Sequence, residues 1–311
     1  MTTIKASDLT KRLKTYAQSI GFQDIGVSKA EELTKEAKQL ERWLRLNLQG
    51  EMSYMERNFD LRTNPQLLHH GTKSIISFSY NYFTEIDTKD QKIKISKYAQ
   101  GRDYHKVVKN KLKKVIQWLQ AEIGDINARA FVDSAPVMER EWAKRSGIGW
   151  VGKNSLLLTK SKGSFFFLGE IFLDVVLEYD SPVKNYCGSC TKCIDACPTQ
   201  AIIEPYVVDS NKCISYLTIE YKKADLPDFY TQQNQGWAYG CDICQDVCPI
   251  NARAAQHNTP DFNSPFEIHK FDASKWINMT ESEFQDIFHD SAVKRAGYQG
   301  LMRNVKAIAK K

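Results

Sequence analysis

All eight cysteines of this 311-residue chain fall between Cys187 and Cys248, leaving the first 186 and the last 63 residues without one. Cys187, Cys190, Cys193 and Cys197 are spaced Cys-x2-Cys-x2-Cys-x3-Cys and followed by Pro198. Cys213, Cys241, Cys244 and Cys248, followed by Pro249, repeat the ending with the first gap opened to 27 intervening residues. Three thiolates at i, i+3 and i+6 on a tight loop can each reach a different iron of one four-iron cubane. Two structural zinc sites of four thiolates each are the alternative, although zinc sites seldom use three cysteines at this spacing and do not call for the Cys-Pro ending. Pro198 is expected in the first turn of a helix, where its fixed φ is an advantage and its missing N–H costs nothing.

The spacing is the one by which bacterial ferredoxins hold a 4Fe-4S cluster, and in their two-cluster members the fourth cysteine of each run ligates the other cluster. Applied here, cluster one takes Cys187, Cys190, Cys193 and Cys248, and cluster two takes Cys197, Cys213, Cys241 and Cys244. Two such clusters side by side move single electrons, so the rest of the chain must say what they feed.

With 43 Lys and Arg against 37 Asp and Glu, 42% hydrophobic residues, 16 Gly and 9 Pro, the composition is that of an ordinary globular protein. Its length suits about two domains at roughly 100–200 residues each. The longest apolar-rich run, residues 165–177, is 13 residues long and is broken by Glu170 and Asp174. A bilayer crossing needs ~20, so no membrane partner is expected. The first residues, Met1 to Leu9, lack a secretory signal, which predicts a cytoplasmic protein whose cysteines serve metal rather than disulfides.

Helical periodicity covers residues 7–20, 30–46, 103–123 and 136–145, and β-rich runs cover 24–27, 74–83, 129–132, 155–158 and 165–176. Helix 103–123 is capped by Asp103. This alternation predicts an α/β (α+β) layer on one sheet, with 181–185 as the linker to the cysteines. Gly147-Ile-Gly-Trp-Val-Gly152 spells G-x-G-x-x-G but follows a helix and opens into a strand. That is the reverse of a dinucleotide-binding turn, so it is read as a turn that lets backbone approach some other ligand.

Four stretches, Gly101-Arg-Asp-Tyr-His105, Val132-Asp-Ser-Ala-Pro-Val-Met-Glu-Arg140, Gly147-Ile-Gly-Trp-Val-Gly-Lys-Asn154 and Cys213-Ile-Ser-Tyr-Leu-Thr-Ile-Glu220, together closely resemble the epoxyqueuosine reductase family over roughly residues 5 to 305. The resemblance implies a reductive-dehalogenase-like cobalamin-binding α/β domain over 1–180, a bacterial two-cluster ferredoxin-like domain over 181–255, and a short basic helical C-terminus over 256–311. It implies base-off cobalamin beside two 4Fe-4S clusters, and reduction of epoxyqueuosine to queuosine at the wobble position of tRNA. Asp133 matches the family's proton donor, where a helix cap would be the plain alternative; acting near neutral pH would require burial to raise its pKa. For cofactor contacts the resemblance points to Arg57, Lys97, Tyr98, Asp133, Gly152, Lys153, Asn154, Ser155, Leu168 and Ser215. No axial histidine is expected: His105 lacks the Asp-x-His-x-x-Gly setting, and His69-His70 reads as a loop or cap pair. Many members continue into a helical-repeat extension, whereas this chain ends at Lys311, so RNA contacts made there would have to come from elsewhere.

The chemistry agrees with the name. Removing an epoxide oxygen as water takes two electrons and two protons, so a two-electron centre must stand between one-electron clusters and substrate. An external low-potential donor is required, and the chain is expected to act as a monomer. Lys294, Arg295, Arg303, Lys306, Lys310 and Lys311 carry the whole formal charge of +6, and 92–114 holds nine Lys or Arg against Asp103. Both patches suit RNA phosphates, with a solvated helix face the alternative for Lys109 and Lys113. Tyr216, Trp237 and Tyr239 are candidate stacking partners for an extruded base, or simply core. Two other functions remain: reductive dehalogenase-like reduction of a small molecule, disfavoured by the absent twin-arginine signal, and a two-cluster electron-transfer protein, for which 180 residues of α/β sequence are superfluous.

Overall fold

The computed structural model describes residues 4–86, 91–264 and 266–309, so Lys310 and Lys311 of the basic tail lie outside the described residues. The chain runs through α1 (Ala6–Ser19), β1 (Asp24–Lys29), α2 (Thr34–Arg45), β2 (Ser74–Asn81), α3 (Tyr104–Ile123), β3 (Ala128–Phe131), α4 (Glu139–Arg145), β4 (Phe166–Leu173), α5 (Ile214–Ile219) and α6 (Gly297–Ala309), joined by shorter elements. The four named strands make one sheet in the order β1-β2-β4-β3, and every neighbouring pair is antiparallel. A purely alternating α/β pattern would have given parallel strands; here the connections return each strand against its neighbour, which is the α+β form of the expected class.

Strand pleat assigns the two faces. On β2, Ile76, Phe78 and Tyr80 join Ile171 and Leu173 of β4 under α1 and α3, whose Leu9, Leu13, Val108, Leu112 and Val115 complete the main core. The alternate residues Ile75 and Phe172 face the other way, onto Trp142 of α4 and Phe131. On that second face β1, β2 and β4 align Gly26, Ser77 and Glu170 in one cross-strand row. Small residues there let α4 sit close: a Cβ added to Gly26 would lie 2.1 Å from the Ser146 carbonyl oxygen.

Helix α3 begins as expected, with the Asp103 carboxylate accepting the His105 N–H at 3.0 Å. Helix α4 starts at Glu139 rather than at residue 136, because Asp133 takes a left-handed φ of +52° and residues 134–137 turn before the helix begins. The strand expected at 155–158 is reduced to Leu157–Leu158, paired with Trp150–Val151 as a hairpin. Pro198 is in a turn, not a helix: Gln200 N–H donates to Cys197 O at 3.1 Å, which puts proline at the second turn position that its φ suits. The glycine-rich run likewise serves packing, since a Cβ on Gly149 would meet the Leu158 carbonyl oxygen at 2.1 Å.

The cysteine segment is tied to the body on two sides. Trp237–Tyr239 pairs in parallel with Lys94–Ile95, and Ile93, Ile95 and Tyr239 share a second core with Trp276, Phe284, Leu301 and Val305. Asn304 of α6, fully buried, donates to Thr218 O at 2.9 Å and Ala238 O at 2.8 Å. No helix among the described residues is long and apolar enough to cross a membrane. Gly149→Ala should cost about 1–3 kcal/mol by overpacking the hairpin, read as a lower urea midpoint with an unchanged slope.

Candidate active site

The two cysteine runs, far apart in sequence, interleave in space. All eight are free thiols. Cys193 has Cys248, Cys187 and Cys190 as its charge neighbours, and burial pushes its thiol up. Cys244 is pushed up further by burial, with Cys213 the largest thiol influence, followed by Cys193 and Cys197. Cys241 is raised likewise by burial, next to Cys244 and Cys213. Such deeply placed thiols become thiolates when a metal binds them. Donors already face sulfur: Ala201 N–H reaches Cys197 Sγ at 3.2 Å and Trp150 Nε1–H reaches Cys187 Sγ at 3.4 Å. The donor set therefore fits two clusters of four thiolates.

The thiols differ in exposure. Cys190 is exposed at the surface, whereas Cys197, Cys213, Cys241 and Cys244 border a cavity of about 430 Å³ inside the fold. The cavity is also bounded by Tyr98, Tyr104, Asp133, Glu139 and Leu168. Its flat apolar and aromatic lining, with Tyr104 stacked on Phe167 at 4.1 Å between parallel rings, suits a broad planar ring system.

Asp133 closes the far wall from the loop between β3 and α4. Tyr104 Oη–H donates to Asp133 Oδ2, and His105 Nε2 lies 3.2 Å from the same oxygen while Nδ1 lies 2.7 Å from Asp103 Oδ1. Burial works against charge on this imidazole, but the two carboxylates outweigh it and hold His105 up at about 9. Asp133 has 56% of its side-chain surface open to the cavity although protein surrounds its carboxyl. Burial pushes that carboxyl up; the hydrogen bonds from His105 and Tyr104 win and hold it below its ordinary value. The expected upward shift is thus reversed. Asp133 N–H in turn donates to Glu139 Oε1 at 2.6 Å, and behind Glu139 stands Glu170, fully buried in mid-strand.

The other expected contacts divide. Tyr98, Asn154, Leu168 and Ser215 border the cavity with Asp133. Lys97 spends its ammonium on Asp246 at 2.7 Å and Asp242 at 3.6 Å. Lys153 donates to Gly188 O at 2.7 Å and Cys190 O at 2.9 Å, and Ser155 Oγ donates to Tyr206 O at 2.8 Å. The turn from Gly152 to Ser155 therefore grips the cysteine loops. Arg57 is exposed on the short helix Tyr54–Arg57. Tyr216, Trp237 and Tyr239 are buried core residues, with the Tyr239 hydroxyl donating to Ala292 O at 2.6 Å, so none is free to stack on a base. Arg295 pairs with Glu220, and Arg303 donates to the Leu217 and Tyr221 carbonyls. These two tail cations are structural, while Lys109, Lys113, Lys114, Lys294 and Lys306 stay exposed. Sequence reading passed over Glu139 and Glu170. The available signal was a lone glutamate in the apolar run Phe166-Phe-Leu-Gly-Glu-Ile-Phe-Leu173.

Comparison with known proteins gives two family matches: Epoxyqueuosine reductase QueG, DUF1730 over residues 62–134, and 4Fe-4S double cluster binding domain over residues 186–251. The epoxyqueuosine reductase of Cellulophaga algicola is 50% identical over 301 residues, 97% of each chain. That of Salmonella typhimurium is 38% identical over 305 residues, 96% of this chain and 79% of that one. An epoxyqueuosine reductase solved with an epoxyqueuosine-modified tRNA-Tyr stem loop superposes with a TM-score of 0.87 at 30% identity, covering 97% of this chain and 80% of that one. The Bacillus subtilis enzyme, solved with an aspartate catalytic loop swung out of its active site, gives 0.88 at 30% identity over 97% and 81%. A catabolic reductive dehalogenase shares the fold at a TM-score of 0.51 and 15% identity, over 98% of this chain and 38% of that one.

Replacing His105 by Asn removes the imidazolium beside Asp133 and should move the Asp133 carboxyl upward. A carbon-13 NMR titration of carboxyl-labelled aspartate reads this directly; an unmoved midpoint would leave Tyr104 as the controlling partner.

Proposed function

The chain belongs to the epoxyqueuosine reductase family of oxidoreductases, and on that premise we propose that it reduces epoxyqueuosine to queuosine at the wobble position of tRNA, with Asp133 as proton donor. The observation that carries this reading is the cavity itself, bordered both by half-buried thiols and by an acid in a hydrogen-bonded network. An electron carrier has no use for that acid. The aspartate catalytic loop of the B. subtilis enzyme and the modified stem loop bound by a relative support both halves of the proposal.

Cys187, Cys190, Cys193 and Cys248 would hold one 4Fe-4S cluster, and Cys197, Cys213, Cys241 and Cys244 the other. Exposed Cys190 favours entry of electrons from an external low-potential donor at the first. Tyr98, Asn154, Leu168 and Ser215 would contact base-off cobalamin. Bound in the cavity, the corrinoid supplies the two-electron chemistry that one-electron clusters cannot deliver singly. Residues 1–180, 181–255 and 256–311 are proposed to divide corrinoid binding, cluster binding and RNA contact.

The protein's own residues then manage the proton. Tyr104 and His105 fix the Asp133 carboxyl toward the cavity, and His105 Nε2–H, charged at neutral pH, is placed to reload Asp133 Oδ2. Exclusion of water by substrate removes part of the solvation that favours the carboxylate, so a proton on Asp133 becomes easier to keep and to pass to the epoxide oxygen. Exposed Lys109, Lys113, Lys114, Lys294 and Lys306 offer phosphate contacts whose strength falls as salt rises.

Anaerobic turnover of epoxyqueuosine-containing tRNA by the cluster- and cobalamin-loaded protein, followed by nucleoside mass spectrometry, should show loss of one oxygen; an unchanged nucleoside would sink the proposal. Asp133→Asn should keep iron and cobalt yet slow turnover about 10²–10⁴-fold. Cys190→Ala and Cys248→Ala should abolish the same cluster signal in EPR, and Cys197→Ala and Cys213→Ala the other. Loss of different signals within either pair would overturn the crossed ligation.

A further inference from the structure

Reduction of the epoxide breaks both C–O bonds and forms one C=C bond, consuming two electrons and two protons and releasing water. Electrons come from the external low-potential donor through the clusters, and Asp133 accounts for one proton, turning the epoxide oxygen into a hydroxyl. Resting on that reading of the site, we propose that Glu139 supplies the second proton, turning the hydroxyl into water, and that Glu170 is a positioning residue whose carboxylic O–H stabilises Glu139 once that proton has left.

The placement of the two acids carries this. Glu139 opens α4 and borders the cavity. Glu170 does not line the cavity; its side chain is fully buried, and it and Glu139 raise one another electrostatically. No donor satisfies either Glu170 oxygen, and Ser77, directly across on β2, has a hydroxyl likewise without a partner. Glu170 is fully buried and Glu139 half-buried, and carboxyls so placed resist ionising together, so the pair stores a proton even with His105 and Arg62 facing Glu139. The groups facing Glu139 are Asp133, Glu170, His105, Tyr104 and Arg62; those facing Glu170 are Glu139 and Asp133. Burial first, and the Asp133 charge second, hold Glu139 up at about 8, while burial and then Glu139 hold Glu170 well above the ordinary carboxyl range. After transfer, the Glu139 carboxylate already has one donor in place, Asp133 N–H at 2.6 Å, and the Glu170 carboxyl, when protonated, is the group that would supply a second. Solvent entering the vacated cavity recharges it. The Gly26–Ser77–Glu170 row makes the contact possible, because small neighbours let α4 approach the sheet.

The test has two readouts on the cluster- and cobalamin-loaded protein. Infrared spectra without substrate should show protonated carboxylic acid that loses intensity as pH rises through about 8, and Glu139→Gln should remove that change. Single-turnover rates should fall along the same alkaline limb. Glu139→Gln should slow turnover about 10²-fold and abolish the limb. Glu170→Leu, which removes the donor, should move the limb upward by about one pH unit, whereas Glu170→Gln, which keeps an amide donor, should leave it near the wild-type position. An infrared signal absent from the wild type, or a limb unmoved in Glu170→Leu and retained in Glu139→Gln, would overturn the proposal. Should Glu170→Leu fail to fold, Glu139→Gln and the wild-type titration still decide. The infrared titration needs no substrate, so a wild type that titrates as expected but leaves the tRNA nucleoside unchanged would count against the function and not against the acid pair.

Discussion

Burial of strand β4 on both faces is the constraint from which the rest of the architecture follows. Its residues alternate between a hydrocarbon core under α1 and α3 and a second face that carries Leu168 at the cavity and Glu170 buried behind it. A strand so enclosed cannot slip by one residue without turning Glu170 into the main core and Ile171 out of it. Register therefore fixes the chemistry as firmly as it fixes packing. The cost of placing a carboxyl there, which as an unpaired ion would be several kcal/mol, is limited by keeping it protonated beside a second acid.

The cysteine segment depends on that frame. Lys153 binds the carbonyls of Gly188 and Cys190, Asn154 reaches Cys244 O at 3.4 Å, and Asn304 bonds carbonyls near both ends of the long gap in the second cysteine run. Loops whose side chains are committed to metal have little apolar surface of their own, so polar clamps from the sheet domain and the C-terminal helix set their position. This also explains the fate of the basic residues: many of the cations that look available along the sequence neutralise nearby acids or cap carbonyls. Arg102 with Asp261 and Asp290, and Lys106 with Asp290, are examples.

Charge around Asp133 follows one logic. A cationic imidazole and a phenol hydrogen-bond it from one side, and protonated acids stand on the other, so a single negative charge is surrounded by groups that still hold protons at neutral pH. Such a site is stocked with protons before any electron arrives, which suits a reduction whose product is water.

Cysteine spacing, the Asp103 cap, the amphipathic helix after it and the strand runs were legible in the sequence because each is set by local periodicity or by ligand spacing along a short loop. The family resemblance added Asp133. Local pattern could not show that Lys97, Arg295 and Arg303 find partners distant in the chain, that Tyr216 and Trp237 are core, or that the glycine turn serves a hairpin contact. Glu170 stood out only as a charge in an apolar run. Sequence by itself determined the clustering and spacing of the cysteines and most of the helices and strands. Tertiary structure alone decided that Asp133 is held ionised and that Glu139 meets Glu170, because a carboxyl's proton affinity depends on neighbours brought from other elements and on the water they exclude.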